Sequence, residues 1–116
     1  MLADPAHCAA VIAFADDGGA RRAVGIATAA WSASVEYTRA AELEDLYVVP
    51  AERGRGVAGA LIDAVTDWAR RRGCRALLVT VTPDGELSHG LTGFYTRRGF
   101  ADELRKLLAF DLGGAA

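Results

Sequence analysis

Between Pro50 and Ala64 the chain reads "PAERGRGVAGALIDA", setting Gly54, Gly56 and Gly59 among Arg53 and Arg55, directly after the apolar run "LYVV". A helix opens with N–H groups that have no partner inside it, and its dipole leaves partial positive charge there. Glycines let a bound group approach those amides, since no Cβ intervenes. The chemistry on offer is the cradling of a phosphate. The spacing Gly-x-Gly-x-x-Gly also marks dinucleotide-binding units, but there the strand runs almost directly into the first glycine. Here Pro50, Ala51, Glu52 and Arg53 intervene. A Walker-type loop is excluded because no Gly-Lys-Ser/Thr follows.

A strand must deliver this turn and a helix must carry it on. "AELEDLYVV", Ala41 to Val49, alternates acidic and apolar residues and then becomes wholly apolar, which predicts a strand whose far end lies in a core and which Pro50 stops. From Val57 to Arg72, Leu61, Val65, Trp68 and Ala69 recur at helical spacing with Asp63, Asp67 and Arg71 on the wet face, and Gly73 closes the helix. Upstream, the apolar runs His7–Ala15 and Ala23–Trp31 flank "DDGG" and predict an antiparallel hairpin turning at Gly18 and Gly19. "SASVEYTRA", Ser32 to Ala40, reads as a polar loop. Downstream, Arg75–Val81 reads as a strand, Thr82–Gly90 as a loop containing His89, and "LTGFYTRRGF" as a short helix with Leu91, Phe94 and Tyr95 on one face, closed by Gly99. "LRKLLAFDL", Leu104 to Leu112, reads as a last strand. The order strand, strand, strand, helix, strand, helix, strand implies a mixed α/β sheet in a single domain spanning residues 1–116.

Composition limits the partners. A chain of 116 residues, about half apolar, supports one core. A formal net charge of −2 gives no overall reason to expect nucleic acid or an anionic membrane. The densest basic patch, Arg70, Arg71, Arg72 and Arg75, falls where a helix ends and cations offset its dipole. Cys8 and Cys74 stand far apart with no motif around either, which suggests neither a disulfide nor a metal site and fits a reducing cytoplasm. The apolar patch "CAAVIAFA" lacks a preceding Lys or Arg and follows Asp4, unlike a secretion signal, and no run approaches the roughly 20 apolar residues of a membrane span. His7, on a strand, and His89 have no partner implied by spacing.

Two motifs carry a family resemblance. "LYVVPAERGRGVAGALI" resembles the acetyl-coenzyme A signature Arg/Gln-x-x-Gly-x-Gly/Ala of the GNAT superfamily of N-acetyltransferases, through Arg53, Gly56 and Ala58, and "GFYTRRGF" resembles its helix with Phe/Leu-Tyr followed by Gly-Phe. The motifs stand in the family's order and at its usual separation, and the resemblance is close over Leu43 to Phe100. It implies a mixed, mostly antiparallel sheet flanked by helices, here lacking the usual first strand and two helices. It implies transfer of acetyl from acetyl-coenzyme A directly to a primary amine, with no metal. The pyrophosphate would rest on the backbone of Arg53, Gly54, Arg55, Gly56, Val57, Ala58 and Gly59, and Leu46, Tyr47 and Val48 would meet the pantetheine arm and thioester through their backbones.

The same resemblance makes Tyr95 the proton donor to the departing thiolate, a transfer from a phenol of pKa near 10 to a thiolate whose acid has a pKa near 8.5. Deprotonating the amine falls to Glu44, then Asp45, then Glu42, on a stretch "LEDLYV" similar to that of the polyamine acetyltransferases. Strict alternation places Glu42 and Glu44 on one face and Asp45 on the other. Ser88 stands where many members carry an asparagine seven residues before the tyrosine. The acceptor is left open among a polyamine, an aminoglycoside-like amine and a protein amine. The alternative is a noncatalytic module that binds coenzyme A or another subunit. Loss of the first strand and helices would leave apolar sheet surface and an unpaired edge, which a homodimer would cover.

Overall fold

Residues 7–113 are described by a computed structural model, in which the chain forms two compact units, one running to Thr80 and one starting at Val81. The first unit is a four-stranded mixed sheet with one long helix. Its strands β1 (Cys8–Asp17), β2 (Ala20–Ser34) and β3 (Thr38–Val48) pair antiparallel, and β4 (Ala76–Val79) joins β3 in parallel, giving the order β1-β2-β3-β4. The helix α1 (Val57–Arg71) connects β3 to β4 after a short 3-10 turn, Pro50–Glu52. The expected hairpin is present, with Gly18 and Gly19 at φ 62° and 96°, the positive values that a two-residue connection demands.

The stripe expected on α1 is the core: Leu61, Ile62, Val65, Trp68 and Ala69 are buried against Val24, Ala27, Ala29, Ala41, Leu43 and Val48 of the sheet. Alanines on the sheet let the helix lie close. At Gly25 a Cβ would stand 3.1 Å from the side chains of Leu61 and Val57 and from the Tyr47 carbonyl oxygen, so a larger residue would have to push these neighbours aside where the first turns of α1 cross β2. At its far end, Gly73 takes φ 77°, the Cys74 N–H returns to the Ala69 carbonyl at 3.0 Å, and Arg39 Nη1 donates to the Arg72 carbonyl at 2.7 Å. A cation from β3 thus works beside the arginines of the last turn.

The other sheet face carries an apolar row. Ile12 pairs with Ile26 and Ile26 with Tyr47, all three exposed, and Asp45 follows two positions before Tyr47.

Several expectations change. Ser32–Ala40 is no loop: β2 continues to Ser34, β3 begins at Thr38, and Ser34 Oγ accepts the Tyr37 N–H at 3.2 Å across a tight turn. Polar residues there pair as strand while facing solvent, so composition hid the ladder. His7 lies one residue before β1 and stacks on Trp31, ring centroids 4.3 Å apart. β4 is shorter than Arg75–Val81.

The second unit contains α2 (Pro83–His89) and α3 (Leu91–Arg97). The stretch expected as a loop over Thr82–Gly90 is α2, because Thr82 Oγ1 accepts the Gly85 N–H at 3.0 Å and Pro83 occupies the first turn, where its missing donor costs nothing. His89 therefore ends a helix. The expected strand Leu104–Leu112 is not formed: no element follows α3 among the described residues. An apolar alternation supplies the faces of a strand, but a strand also requires a partner for its backbone. No helix among the described residues is long and apolar enough to cross a membrane.

Candidate active site

The phosphate turn has the geometry its glycines require. Gly54 and Gly56 lie at φ 79° and 84°, and a Cβ on either would meet nothing within 4 Å, so both face open space. Gly56 is the residue before α1, no side chain caps the helix, and no acidic residue lies in its first turn. The Arg53 N–H donates to the Pro50 carbonyl at 3.3 Å and the Ala60 N–H to the Gly56 carbonyl at 3.1 Å. The N–H groups between Gly54 and Ala58 are left to face an anion at the positive end of a 15-residue helix. These residues fit a pyrophosphate.

The arginines brace the turn. Arg53 Nε donates to the Val48 carbonyl at 2.9 Å, and its guanidinium carbon lies 5.5 Å from the centre of the Tyr47 ring. Glu52 faces Arg22 at 3.4 Å and Arg55 at 3.8 Å. Contact of Arg22 with Asp17 at 2.8 Å extends this chain of charges to the end of β1 and raises the pKa of Arg22 further. Arg22 was not foreseen, since only the folded hairpin brings residue 22 to residue 52.

The strand carboxylates are arranged by a β-bulge. Thr28 pairs with Asp45 and Ala29 with Leu43, so Glu44 is an extra residue in β3. This corrects the facing expected from strict alternation: the extra residue returns Asp45 to the side of Glu42 and Tyr47, opposite buried Ala41, Leu43 and Val48. Asp45 accepts a hydrogen bond from Thr28 Oγ1 at 2.6 Å, and Glu42 one from Thr80 Oγ1 at 3.4 Å. Both threonines escape a sequence reading, because each is identified only by strand register. Glu44 is exposed at the bulge.

Pairing of β3 with β4 stops at Leu43–Val79, whereas β3 stays paired with β2 as far as Val48. Over Glu44–Val48 the backbone on the β4 side therefore has no strand partner among the described residues. Leu46 is half-buried, Tyr47 exposed and Val48 buried in that stretch. The structure thus gathers the carboxylates, the open strand backbone, the braced turn and the start of α1 along one continuous segment of the first unit.

In the second unit Ser88 is exposed near the end of α2, and Tyr95 is buried on α3. The Tyr95 ring meets Phe94 and Phe100 edge-on, centroids 5.1 and 5.2 Å away. Burial pushes its phenol above the ordinary tyrosine value of 10. The joint between the helices is held by Glu86, whose Oε1 accepts the Thr92 N–H at 2.8 Å. Hydrogen bonding to Thr92, through side chain and backbone, holds the Glu86 carboxyl below its ordinary 4.5. A lowered pKa means the charged form is favoured by folding, so its stabilisation is complete above about 4.5 and is lost as pH falls through the folded value. Protection of the Thr92 amide from hydrogen exchange is expected to fall as the pH drops below about 4.5, and Glu86→Gln is expected to flatten that dependence. Equal pH profiles in the two proteins would contradict the assignment.

Comparison with known proteins identifies the family and the fold. The sequence profile of the Acetyltransferase (GNAT) family matches residues 2–100. An uncharacterised N-acetyltransferase of Methanocaldococcus jannaschii is 34% identical over 73 residues, 63% of this chain and 31% of that protein. Aminoglycoside N(6')-acetyltransferase type 1 of Salmonella typhimurium is 35% identical over 97 residues, 76% of this chain and 63% of that protein. The chain thus spans less than two thirds of the length of either relative. Among solved structures, aminoglycoside N-acetyltransferase AAC(6')-Iy in complex with CoA superposes with a TM-score of 0.78 at 30% identity, covering 94% of this chain and 78% of that one. A mixed sheet, a glycine-rich turn opening its long helix and a profile match over residues 2–100 place the chain in the acetyltransferase (GNAT) family.

Proposed function

We propose that the chain is an N-acetyltransferase that moves an acetyl group from acetyl-coenzyme A directly to a primary amine. The observation that carries this is the uncapped start of α1, where Gly54 and Gly56 hold the backbone open to an anion beside the end of β3. Acetyl-coenzyme A would supply a pyrophosphate for that turn and a thioester as acyl donor. The amides from Gly54 to Ala58 bind the pyrophosphate, with Gly59 letting it approach the first turn of α1, and the backbone of Leu46, Tyr47 and Val48 receives the pantetheine arm and polarises the acyl carbonyl. Glu44 takes the proton of the incoming ammonium, whose pKa in water is near 10.4, and Asp45 and Glu42 hold further positive charge on the acceptor. Tyr95 gives its phenolic proton to the departing thiolate, and Ser88 is a cofactor contact.

The acceptor is proposed as a small-molecule amine, by analogy with the aminoglycoside acetyltransferase relative. Two free thiols, Cys8 and Cys74, support a cytoplasmic setting. The exposed row Ile12, Ile26 and Tyr47 supports a homodimer.

Acetyl-coenzyme A at a hundred times its dissociation constant is expected to stabilise the protein by about 2.7 kcal/mol, roughly ten degrees in melting temperature. Differential scanning fluorimetry reads this directly, followed by turnover on a panel of amines. No shift at millimolar ligand would remove the cofactor assignment, and a shift without turnover on any amine would remove the enzymatic one.

A further inference from the structure

Glu52 is a carboxylate beside a turn shaped for an anion. It ends the 3-10 turn Pro50–Glu52, two residues before Gly54, so its Cα lies within roughly 8 Å of that of the first glycine of the cradle. Its side chain is 15% exposed, so its charge is poorly screened and would repel a pyrophosphate on the amides of Gly54 to Ala58. A cation opposes each of its oxygens. Arg55 Nη1 lies 3.8 Å from Oε1, and Arg22 Nη2 lies 3.4 Å from Oε2. The two are not equivalent. The Arg55 side chain is 69% exposed and stands at the outer limit of an ion pair. Arg22 is held from both sides, since its Nε donates to Asp17 Oδ2 at 2.8 Å while Nη2 donates to Glu52. Asp17 is the last residue of β1, so the hairpin presents a fixed guanidinium to the turn. The hairpin is in turn fastened beside it, because the Val49 N–H donates to the Val24 carbonyl at 2.8 Å.

We propose that Arg22 makes the glycine turn receptive to the cofactor by cancelling the charge of Glu52. The inference rests on the acetyl-coenzyme A site proposed above and brings to it a residue of the hairpin. Arg22 acts through Glu52 rather than on the reacting atoms. With Arg22 in place the charges of Asp17, Arg22, Glu52 and Arg55 cancel, and an incoming pyrophosphate meets the positive end of α1 without an opposing field. Without it, two carboxylates stand against one exposed arginine. A pair that only held the turn in shape would behave differently, since removing either partner would loosen the turn and weaken binding alike. Where charge is what matters, the partners act in opposite directions: loss of the cation weakens the binding of an anion, and loss of the carboxylate does not.

The test uses the full chain, with acetyl-coenzyme A as the ligand in titration calorimetry. Arg22→Gln, which keeps a hydrogen-bonding side chain and removes its charge, is expected to raise the dissociation constant roughly fivefold or more, whereas Arg22→Lys should stay within about twofold of the wild type. Glu52→Gln should leave the constant unchanged or lower it. Combining Arg22→Gln with Glu52→Gln should return it to within about twofold of the wild type. Melting curves without ligand control for folding, and Glu52→Gln tests the sign of the effect by itself. Weaker binding in Glu52→Gln, a double variant no tighter than Arg22→Gln, or undiminished affinity in Arg22→Gln each overturns this role of Arg22 while leaving the cofactor site standing. A wild type that binds no acetyl-coenzyme A overturns both.

Discussion

Tyr95→Phe is expected to lower kcat about 10²–10⁴-fold, the usual worth of a general acid, with little change in affinity for acetyl-coenzyme A. The substitution keeps the ring that packs edge-on against Phe94 and Phe100, so the second unit should retain its structure. Burial raises the phenol pKa, which keeps the proton in place throughout the neutral and mildly alkaline range where an acid would be used. For the same reason the wild type should lose stability only above about pH 10, as the buried ring is forced to ionise, and Tyr95→Phe should not share that loss. Initial rates and melting curves on the two proteins decide the matter. Wild-type turnover in Tyr95→Phe would take the residue out of the mechanism, whereas a drop in stability of about 1 kcal/mol with turnover intact would make its hydroxyl structural.

Gly56→Val should weaken acetyl-coenzyme A roughly a hundredfold or more, as a branched side chain enters the open space before amides that would each give a charged hydrogen bond. Strain complicates the reading, because Gly56 sits at φ 84°, where a β-branched residue is disfavoured. Gly73 provides the control. It lies at φ 77° at the opposite end of α1, and an added Cβ there would meet only Arg39 Nη1 at an ordinary 3.8 Å. Gly56→Ala and Gly73→Ala should therefore cost similar stability, and only the former should lose cofactor affinity in titration calorimetry. Arg55→Ala should change it little, since that guanidinium is exposed and lies 3.8 Å from Glu52. Equal affinities for the wild type and Gly56→Val would refute the cradle.

These expectations show what a sequence can and cannot carry. The core stripe of α1, the glycine turn and the hairpin at Gly18 and Gly19 are local, each set by residues within one or two turns of chain, and each is found where periodicity and punctuation put it. The sequence also held the signal for α2, Thr82 followed by Pro83 and an acidic first turn, but a cluster of proline, aspartate and glycine is equally the mark of a loop. What escaped entirely depends on pairing. The bulge at Glu44, the bond from Thr28 to Asp45 and the brace from Arg22 to Glu52 all follow from which strand residue lies beside which. Leu104–Leu112 has the pattern of a strand and none of the pairing.

The bulge has one more consequence, which concerns chain length. If Glu44 were deleted, Leu43 would be followed by Asp45, and the alternation from Ala41 to Val48 would run without interruption in the facing it already has. Loss of Leu43 or Asp45 would instead leave one fewer residue of the type that its face requires. Glu44 is thus the position in β3 at which the strand can shorten by one residue with every remaining side chain pointing as before. The single-residue deletion therefore tests the role proposed for this carboxylate toward an amine with the facing of the other β3 side chains retained.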